Sequence, residues 1–250
     1  MNSETLQRLS DVKALRERQF LEDSSPTAHP IKPDKYIEIN NFYTSTIYEK
    51  GAEVIRMIHT MLGSQKYREA TDLYFETFDG QAVTTEDFLW AMNQSGTFDL
   101  EQFKLWYSQE RTPELIVDER YDKESNSYSL TLTQKIPNAV NGSKQQAYYY
   151  PLKFALLDEN GKEIDLHKNM LIISKESETF EFKNIASKPT LSINRNFSAP
   201  IKVLHESDDQ FLMMHDSDGF IRYESAQKYA LKTIKNIISG EEVDENYLVH

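Results

Sequence analysis

The sequence contains no cysteine. Disulfide bonds, thiolate metal sites and cysteine nucleophiles are therefore excluded. A cysteine-free chain suits a reducing compartment, so we expect a cytoplasmic protein. Hydrophobic residues make up 39% of the 250 positions and charged residues 27%, which is typical of a globular chain that forms one large domain or two ordinary ones.

Long apolar runs are also missing. No stretch approaches the roughly 20 apolar residues that span a bilayer, and the polar start Met1–Leu6 lacks the apolar core of a signal peptide. Acidic residues outnumber basic ones by 40 to 28, which gives a net charge of −12. This charge repels phosphate backbones and anionic lipid, so we expect neither nucleic acid nor a membrane as a partner.

The residue spacings that many catalytic classes need are absent. No two histidines are three or four positions apart, so no helical turn presents the histidine pair of a zinc site. There is no Gly-x-Ser-x-Gly elbow, Gly-x-Gly-x-x-Gly loop or Gly-Lys-Ser/Thr phosphate loop. The sequence therefore predicts no metal ligands in this chain. The six histidines are His29, His59, His167, His205, His215 and His250.

Residues 1 to about 112 have mainly helical periodicity. The first predicted helix runs from about Glu4 to Leu21, and a later stripe that begins at Val54 ends at Gly63, a residue type that often closes a helix. A helix around Ala70 is closed by Asp79–Gly80. The apolar face of the first helix is formed by Leu6, Leu9, Val12, Leu15 and Phe20.

Two further helices are predicted before the pattern changes. Thr84, with Asp87 three residues on, offers an N-terminal cap for one of them. Asp99 offers a cap for the other, which is expected to bury Phe103 and Trp106.

From about residue 112 to residue 206 the period falls to two. Polar turns at Asp122–Asn126 and Asn160–Gly161 separate alternating runs. Seven or so short strands at this spacing predict a β-sandwich. Helices return from Ser207. The later strands are expected at Glu163–Leu166, Leu171–Ser174, Thr179–Phe182, Thr190–Asn194 and Ile201–His205, and the stripe of the last helix contains Tyr229, Leu231, Ile234 and Ile237.

The most informative segment runs from Asn40 to Met57 and reads NNFYTSTIYEKGAEVIRM. Tyr43 and Tyr48 lie in an aromatic, β-branched run that changes to helical periodicity at Glu49. Periodicity alone favours the interpretation that both tyrosines are core or interface aromatics, since buried tyrosines are common. Nothing about folding, however, requires two phenols at these positions.

The residues that follow Tyr48 have a structural interpretation. Glu49, Lys50 and Glu53 are expected to form the first turn of a helix and not to act in catalysis. Gly51 is expected to allow close helix packing. Tyr48 itself is then placed just before a helix N-terminus, where the dipole favours negative charge.

The segment resembles the aminopeptidase N family of bacteria, which are zinc metallopeptidases of the gluzincin class. The resemblance implies that Tyr48 donates a hydrogen bond to the oxyanion of the tetrahedral intermediate, opposite the zinc. It also implies that Tyr43 lines the pocket for the first side chain of the substrate. Ordered matches extend over nearly the whole chain, at Phe20–Pro30, Val54–Gly63, Leu73–Phe75, Phe78–Thr84, Trp106–Gln109 and Phe197–Lys202.

By this resemblance the fold is multi-domain α+β. Residues 1–112 correspond to the mainly helical C-terminal part of a thermolysin-like catalytic domain. Residues 113–206 form an immunoglobulin-like (Ig-like) β-sandwich domain. Residues 207–250 are a short helical tail, the first helices of a larger helical domain.

The resemblance implies a metallo-aminopeptidase that removes N-terminal residues from peptides, with zinc as the cofactor of the full-length enzyme. The zinc-binding helices and the N-terminal domain of that family have no counterpart here. We therefore expect the chain to be a fragment that holds no zinc and is inactive alone. Its expected partners are peptide substrates, in the full-length enzyme, and the missing N-terminal and C-terminal parts of the same polypeptide.

The alternative is a stand-alone, non-catalytic binding module with a helical region and an Ig-like sandwich. The surface of residues 1–112 distinguishes the two hypotheses. A fragment is expected to expose an apolar face, at the stripe of the first helix and along Ile37–Tyr48, whereas a self-sufficient module is expected to have a polar surface.

Overall fold

A long helical segment opens the chain in the computed structural model, which describes residues 3–95 and 100–241. Helix α1 (Ser3–Ala14) continues through a π-helical turn (Leu15–Gln19) into α2 (Phe20–Ser24). The helix predicted from Glu4 to Leu21 is therefore confirmed, with a few further residues at its C-terminal end. None of the helices among the described residues is long and apolar enough to cross a membrane.

Short helices make up the rest of the first part of the chain. After α2 come a 3-10 turn (Ile39–Phe42), a π-helical turn (Thr46–Lys50), α3 (Gly51–Leu62), α4 (Ser64–Phe78), α5 (Thr85–Ser95), a 3-10 turn (Gln102–Lys104) and α6 (Leu105–Ser108).

The helix ends follow the predicted signals. Gly63, which closes α3, has a φ of 77°, a conformation that a residue with a Cβ rarely adopts. At the start of α5 the Asp87 carboxylate accepts hydrogen bonds from the backbone N–H and the hydroxyl of Thr84, at 2.8 and 2.9 Å. The Asp87 half of the predicted cap is therefore confirmed, whereas the cap predicted at Asp99 lies outside the described residues.

A β-sandwich follows the helical region, as predicted. The strands are β1 (Glu114–Asp122), β2 (Ser127–Lys135), β3 (Tyr150–Leu157), β4 (Met170–Ile173), β5 (Ser177–Lys183), β6 (Thr190–Ile193) and β7 (Lys202–Leu204). The first sheet has the strand order β5-β2-β1-β7 and the second the order β4-β3-β6. All the strand pairs are antiparallel except β1 with β7.

The strand predicted at Glu163–Leu166 is wrong. Only an isolated bridge between Leu157 and Glu163 forms after the Asn160–Gly161 turn. The chain then leaves the sheet because the Asp165 side chain accepts the N–H of His167, which adopts a φ of 52°. This local side-chain turn competes with strand pairing.

The helical region and the sandwich share one core. Trp106 of α6 is fully buried, packs on Tyr148 with ring centroids 4.3 Å apart, and donates its indole N–H to the carbonyl of Tyr149 at 2.8 Å. The apolar residues of α3 to α5 and those between the two sheets belong to the same buried cluster. The first two parts of the chain are therefore packed against each other.

The first helix is buried in a second core, contrary to the expectation that its stripe is exposed. Val12, Leu15 and Phe20 pack against β3 and against α7 (Asp209–His215) and α8 (Gly219–Ser239). These elements cover the stripe because they supply their own apolar side chains to it. Leu6 alone of the predicted face is largely exposed, at 56%.

The helices predicted after Ser207 are confirmed as α7 and α8. Side chains of Asp208 and Asp218 accept the N–H groups of Phe211 and Ile221, both at 3.0 Å, and so cap the two helices. The predicted stripe of the last helix is largely exposed; its outer face carries Leu231, Ile234, Ile237 and Ile238.

Candidate active site

Tyr43 and Tyr48 lie side by side on the surface of the helical region. Their rings are nearly parallel, with an angle of 18° between the planes and 6.3 Å between the centroids. Tyr43 is 67% exposed and Tyr48 is 58% exposed, so neither is a core aromatic. The structure brings the two residues singled out by the sequence together, and both rings are accessible to a ligand.

Tyr48 lies inside the first helical turn and not before it, which corrects the sequence-based placement. The π-helical turn begins at Thr46, where the Glu22 carboxylate of α2 accepts both the backbone N–H and the side-chain hydroxyl at 2.8 Å. The hydroxyl of Thr44 accepts the next N–H, that of Ile47, at 3.2 Å. These side chains satisfy N–H groups that a helix start leaves free, so the helix begins earlier than its apolar periodicity indicates.

The end of the same turn is held by a buried ion pair. Lys50 donates to the Asp23 carboxylate at 2.9 Å, and both side chains are almost completely buried. Asp23 also accepts the hydroxyl of Thr112 at 3.0 Å and the backbone N–H of Arg111 at 3.1 Å. The pair thus joins α2, the turn that carries Tyr48 and the segment that leads into the sandwich.

The pKa of Asp23 reflects these contacts. Burial raises the pKa, but the charge of Lys50 and the hydrogen bonds that the carboxylate accepts outweigh this effect. The pKa of Asp23 is therefore lowered from its ordinary value of 3.8, and the carboxylate is ionised at neutral pH.

Two family models match consecutive parts of the chain. Residues 2–107 match the peptidase family M1 domain, and residues 111–206 match a domain of unknown function, DUF3458, with an Ig-like fold. Aminopeptidase N of Escherichia coli (strain K12) is 41% identical over 244 residues, which cover 94% of this chain. The chain is homologous to the M1 aminopeptidases.

Further similar proteins are also named aminopeptidases. Aminopeptidase N of Caulobacter vibrioides is 37% identical over 98% of the chain. The crystal structure of Legionella pneumophila aminopeptidase A in complex with aspartic acid superposes on 90% of the chain with a TM-score of 0.77 and 29% identity. The chain spans 28% of the length of the Escherichia coli relative, 29% of the Caulobacter one and 26% of the Legionella one.

M1 aminopeptidases are zinc-dependent, but the residues described here do not fit a zinc ion. No three His, Asp or Glu side chains in residues 3–95 and 100–241 lie close enough together to hold a metal. His59 instead contacts Ser64 at 3.3 Å and packs edge-on against Tyr67, and His205 pairs with Glu119. We therefore assign no step of the reaction to zinc.

Lys50 and Glu53 are in the first turns of the helix, as expected, but they are buried and not surface residues. Glu53 accepts both terminal nitrogens of Arg8, at 2.5 and 2.6 Å. Arg8 also donates to the carbonyl of Phe197 at 3.0 Å, beyond the last strand of the second sheet. The partners are far apart in sequence, and no local pattern signals either ion pair.

Gly51 does not serve close packing, which corrects the expectation from the sequence. A Cβ at this position would meet no atom closer than the Ile31 side chain at 3.9 Å, an ordinary contact distance. The backbone of Gly51 is also helical, with φ −58° and ψ −45°. Nothing in the described structure explains why glycine is needed here.

Proposed function

We propose that this chain is a segment of a zinc metallo-aminopeptidase, an enzyme that removes N-terminal residues from peptides. The observation that carries the proposal is the pair of accessible, nearly parallel tyrosines, Tyr43 and Tyr48, on a segment that is anchored at its ends. Relatives named aminopeptidase N support it. Because the chain spans 28% of the Escherichia coli relative, the activity is proposed for the longer polypeptide.

Tyr48 is the proposed donor to the transition state. When the scissile carbonyl becomes tetrahedral, its oxygen gains negative charge, and a phenol O–H that stays protonated strengthens its hydrogen bond to that oxygen. Because this hydrogen bond strengthens as the charge develops, it stabilises the transition state more than the ground state, which is the requirement for catalysis.

Tyr43 is the proposed wall of the pocket for the first substrate side chain. Its ring lies parallel to that of Tyr48, so the two rings present adjacent aromatic surfaces. A side chain that packs on Tyr43 would keep the scissile bond near the Tyr48 hydroxyl. Aspartic acid, which is bound in the Legionella relative, supports an amino acid or peptide as the ligand class.

The surface beside the tyrosines supports a segment of an enzyme over a self-sufficient module. The Ile37 side chain is 95% exposed, and Tyr36 and Ile39 are also exposed. Several exposed apolar side chains in one short segment are typical of a surface that another part of a protein covers. We propose that other parts of the same polypeptide cover it.

We propose the boundaries 1–112, 113–206 and 207–250 for the catalytic-domain part, the sandwich and the helical tail. We also propose a cytoplasmic location, which the cysteine-free composition supports.

Substitution of Tyr48 by Phe in the full-length polypeptide tests the proposed function. Removal of one oxyanion donor typically lowers kcat by about 10²–10³-fold, so we expect a loss of this size for an aminoacyl-amide substrate, with KM little changed. Tyr223→Phe removes a phenol hydroxyl from α8 and is the matched control. An unchanged kcat in Tyr48→Phe would refute the role of this tyrosine.

Tyr43 is tested by substrate preference. Tyr43→Ala is expected to raise KM most for substrates with large first side chains, because these lose the aromatic contact, and least for glycyl substrates. KM values that change equally for all substrates would argue against a pocket wall at this position.

A further inference from the structure

Two adjacent carboxylates of α2 hold the two ends of the turn that carries Tyr48. Glu22 accepts both the backbone N–H and the hydroxyl of Thr46, the first residue of the turn, at 2.8 Å. Asp23 accepts the ammonium of Lys50, the last residue of the turn, at 2.9 Å. Tyr48 is the central residue of these five.

The Glu22 contact is a helix cap supplied from outside the helix. Thr46 is fully buried, so its N–H and hydroxyl need acceptors within the protein. An ionised carboxylate is a strong acceptor for the N–H groups of a helix start. The Gln19 side chain of the preceding π-helical turn also donates to the Thr46 hydroxyl, at 3.4 Å. This end of the turn is therefore held by two side chains of the first helical segment, Gln19 and Glu22.

The Asp23 contact fixes the other end more rigidly. Both partners are almost completely buried, and the Lys50 ammonium also donates to the carbonyl of Arg111 at 3.2 Å. A buried charge cannot leave its partner without a large desolvation cost. The backbone between Thr46 and Lys50 is therefore fixed at two points, although the ring of Tyr48 itself is exposed.

This arrangement has a consequence for a residue that acts through its hydroxyl position. A donor to an oxyanion is effective only at hydrogen-bond distance from the place where the charge develops. A side chain as exposed as Tyr48 has few packing contacts of its own to hold it. Its position then depends on the backbone that carries it.

We propose that Glu22 and Asp23 are positioning residues, which set the place of the Tyr48 phenol by holding the two ends of its turn. The proposal rests on the proposed function of Tyr48. Glu22 is the better residue to test because it is partly exposed, whereas substitution of Asp23 leaves a buried lysine without its partner.

The test is a double-mutant cycle between Glu22 and Tyr48 in the full-length polypeptide. Glu22→Ala is expected to lower kcat by about 10-fold to 100-fold, the loss typical of a small misplacement, with little change in KM. Glu22→Gln is expected to recover most of the activity because its amide oxygen still accepts from Thr46. In the Tyr48→Phe background, Glu22→Ala is expected to have no further effect on kcat.

A matched control and a second readout separate positioning from general damage. Glu17→Ala removes an exposed carboxylate from the same helical segment and is expected to leave kcat unchanged. Hydrogen exchange of the peptide that covers residues 44–51 is expected to be faster in Glu22→Ala than in wild type or Glu22→Gln. Equal exchange in all three proteins would overturn the proposal.

The outcomes of the cycle are also distinct from failure of the proposed function. If Tyr48→Phe lowers kcat and Glu22→Ala lowers it by the same factor in both backgrounds, then Glu22 does not act through Tyr48 and the positioning proposal is overturned. If Tyr48→Phe itself has no effect, the proposed function of Tyr48 fails first.

Discussion

At the scale of single residues, the environment of the site depends on a few buried charges. Lysine side chains are mostly exposed in proteins, but the side chain of Lys50 is buried and pairs with Asp23. Breaking such a pair by removal of one partner typically costs about 3–5 kcal/mol, because the remaining charge stays buried. Asp23 is therefore expected to stabilise the fold as well as to hold the end of the turn that carries Tyr48.

The lowered pKa of Asp23 predicts how stability depends on pH. A carboxylate whose pKa is lower in the folded state stabilises the protein above the pKa of the unfolded state, and this contribution is lost as pH falls through the folded-state pKa. We expect the midpoint of urea unfolding to fall as pH is lowered from neutral to below 3.8. The Asp23→Asn variant should have a lower urea midpoint at neutral pH, and its midpoint should depend less steeply on pH than that of wild type.

The control for this prediction is Asp118→Asn, which removes an exposed carboxylate from β1. We expect it to keep the wild-type dependence on pH. If Asp23→Asn had the same slope as wild type in the acid range, Asp23 would not be responsible for that slope.

The residues of the site differ in how well the sequence predicts them. Tyr43 and Tyr48 were singled out because their segment resembles a family motif, and the structure places them together. The partners of the buried ion pairs were missed: Asp23 and Lys50 are 27 positions apart, and no local periodicity reports contacts at that distance. Burial of a charge is a property of the fold and not of the flanking sequence.

At the scale of the elements, helices were predicted well because the spacing of apolar residues along a helix can be read from a short stretch of sequence. The strand expected at Glu163–Leu166 failed because a side-chain turn at Asp165 redirects the chain. The start of the helix at Thr46 was placed too late because its cap, Glu22, comes from another helix. Elements that depend on contacts from elsewhere in the chain are those that periodicity misplaces.

Gly51 is a position in a helix where a substitution should increase stability. Alanine has space at this position and suits the helical backbone, so Gly51→Ala should stabilise the chain by about 0.5–1 kcal/mol in chemical denaturation. Gly63→Ala is the contrasting variant, since φ at Gly63 is 77° and a side chain there is strained. Destabilisation by Gly51→Ala would show that the backbone or its surroundings differ from this description.

At the scale of the whole molecule, the first helix packs between the sandwich and the C-terminal helices. Its apolar face contacts β3 of the sandwich and both C-terminal helices, while α3 to α6 share the sandwich core. No part of the described chain is therefore a separate domain that is connected to the rest only by a linker. The sequence could not predict this because an amphipathic stripe does not identify the surface that covers it.

This packing predicts that the described parts unfold together. Leu15 is almost completely buried in the second core. The substitution Leu15→Ala should therefore lower the free energy of unfolding by about 2–5 kcal/mol. The whole unfolding transition, followed by circular dichroism and by tryptophan fluorescence, should shift to lower denaturant. Leu21→Ala, at a neighbouring exposed leucine, should change stability by no more than about 0.5 kcal/mol. Two separate transitions in Leu15→Ala would contradict a shared structure.

We propose that this chain supplies the transition-state donor of an aminopeptidase, and the residues that the structure describes form no metal site. The most direct test measures hydrolysis of aminoacyl-amide fluorogenic substrates and zinc content on the same samples, for the 250-residue chain and for the longer polypeptide that contains it. We predict hydrolysis and stoichiometric zinc for the longer polypeptide and neither for the chain alone. Hydrolysis by the chain alone at a rate that follows its bound zinc would show that the 250 residues assemble a metal site of their own and would refute this proposal.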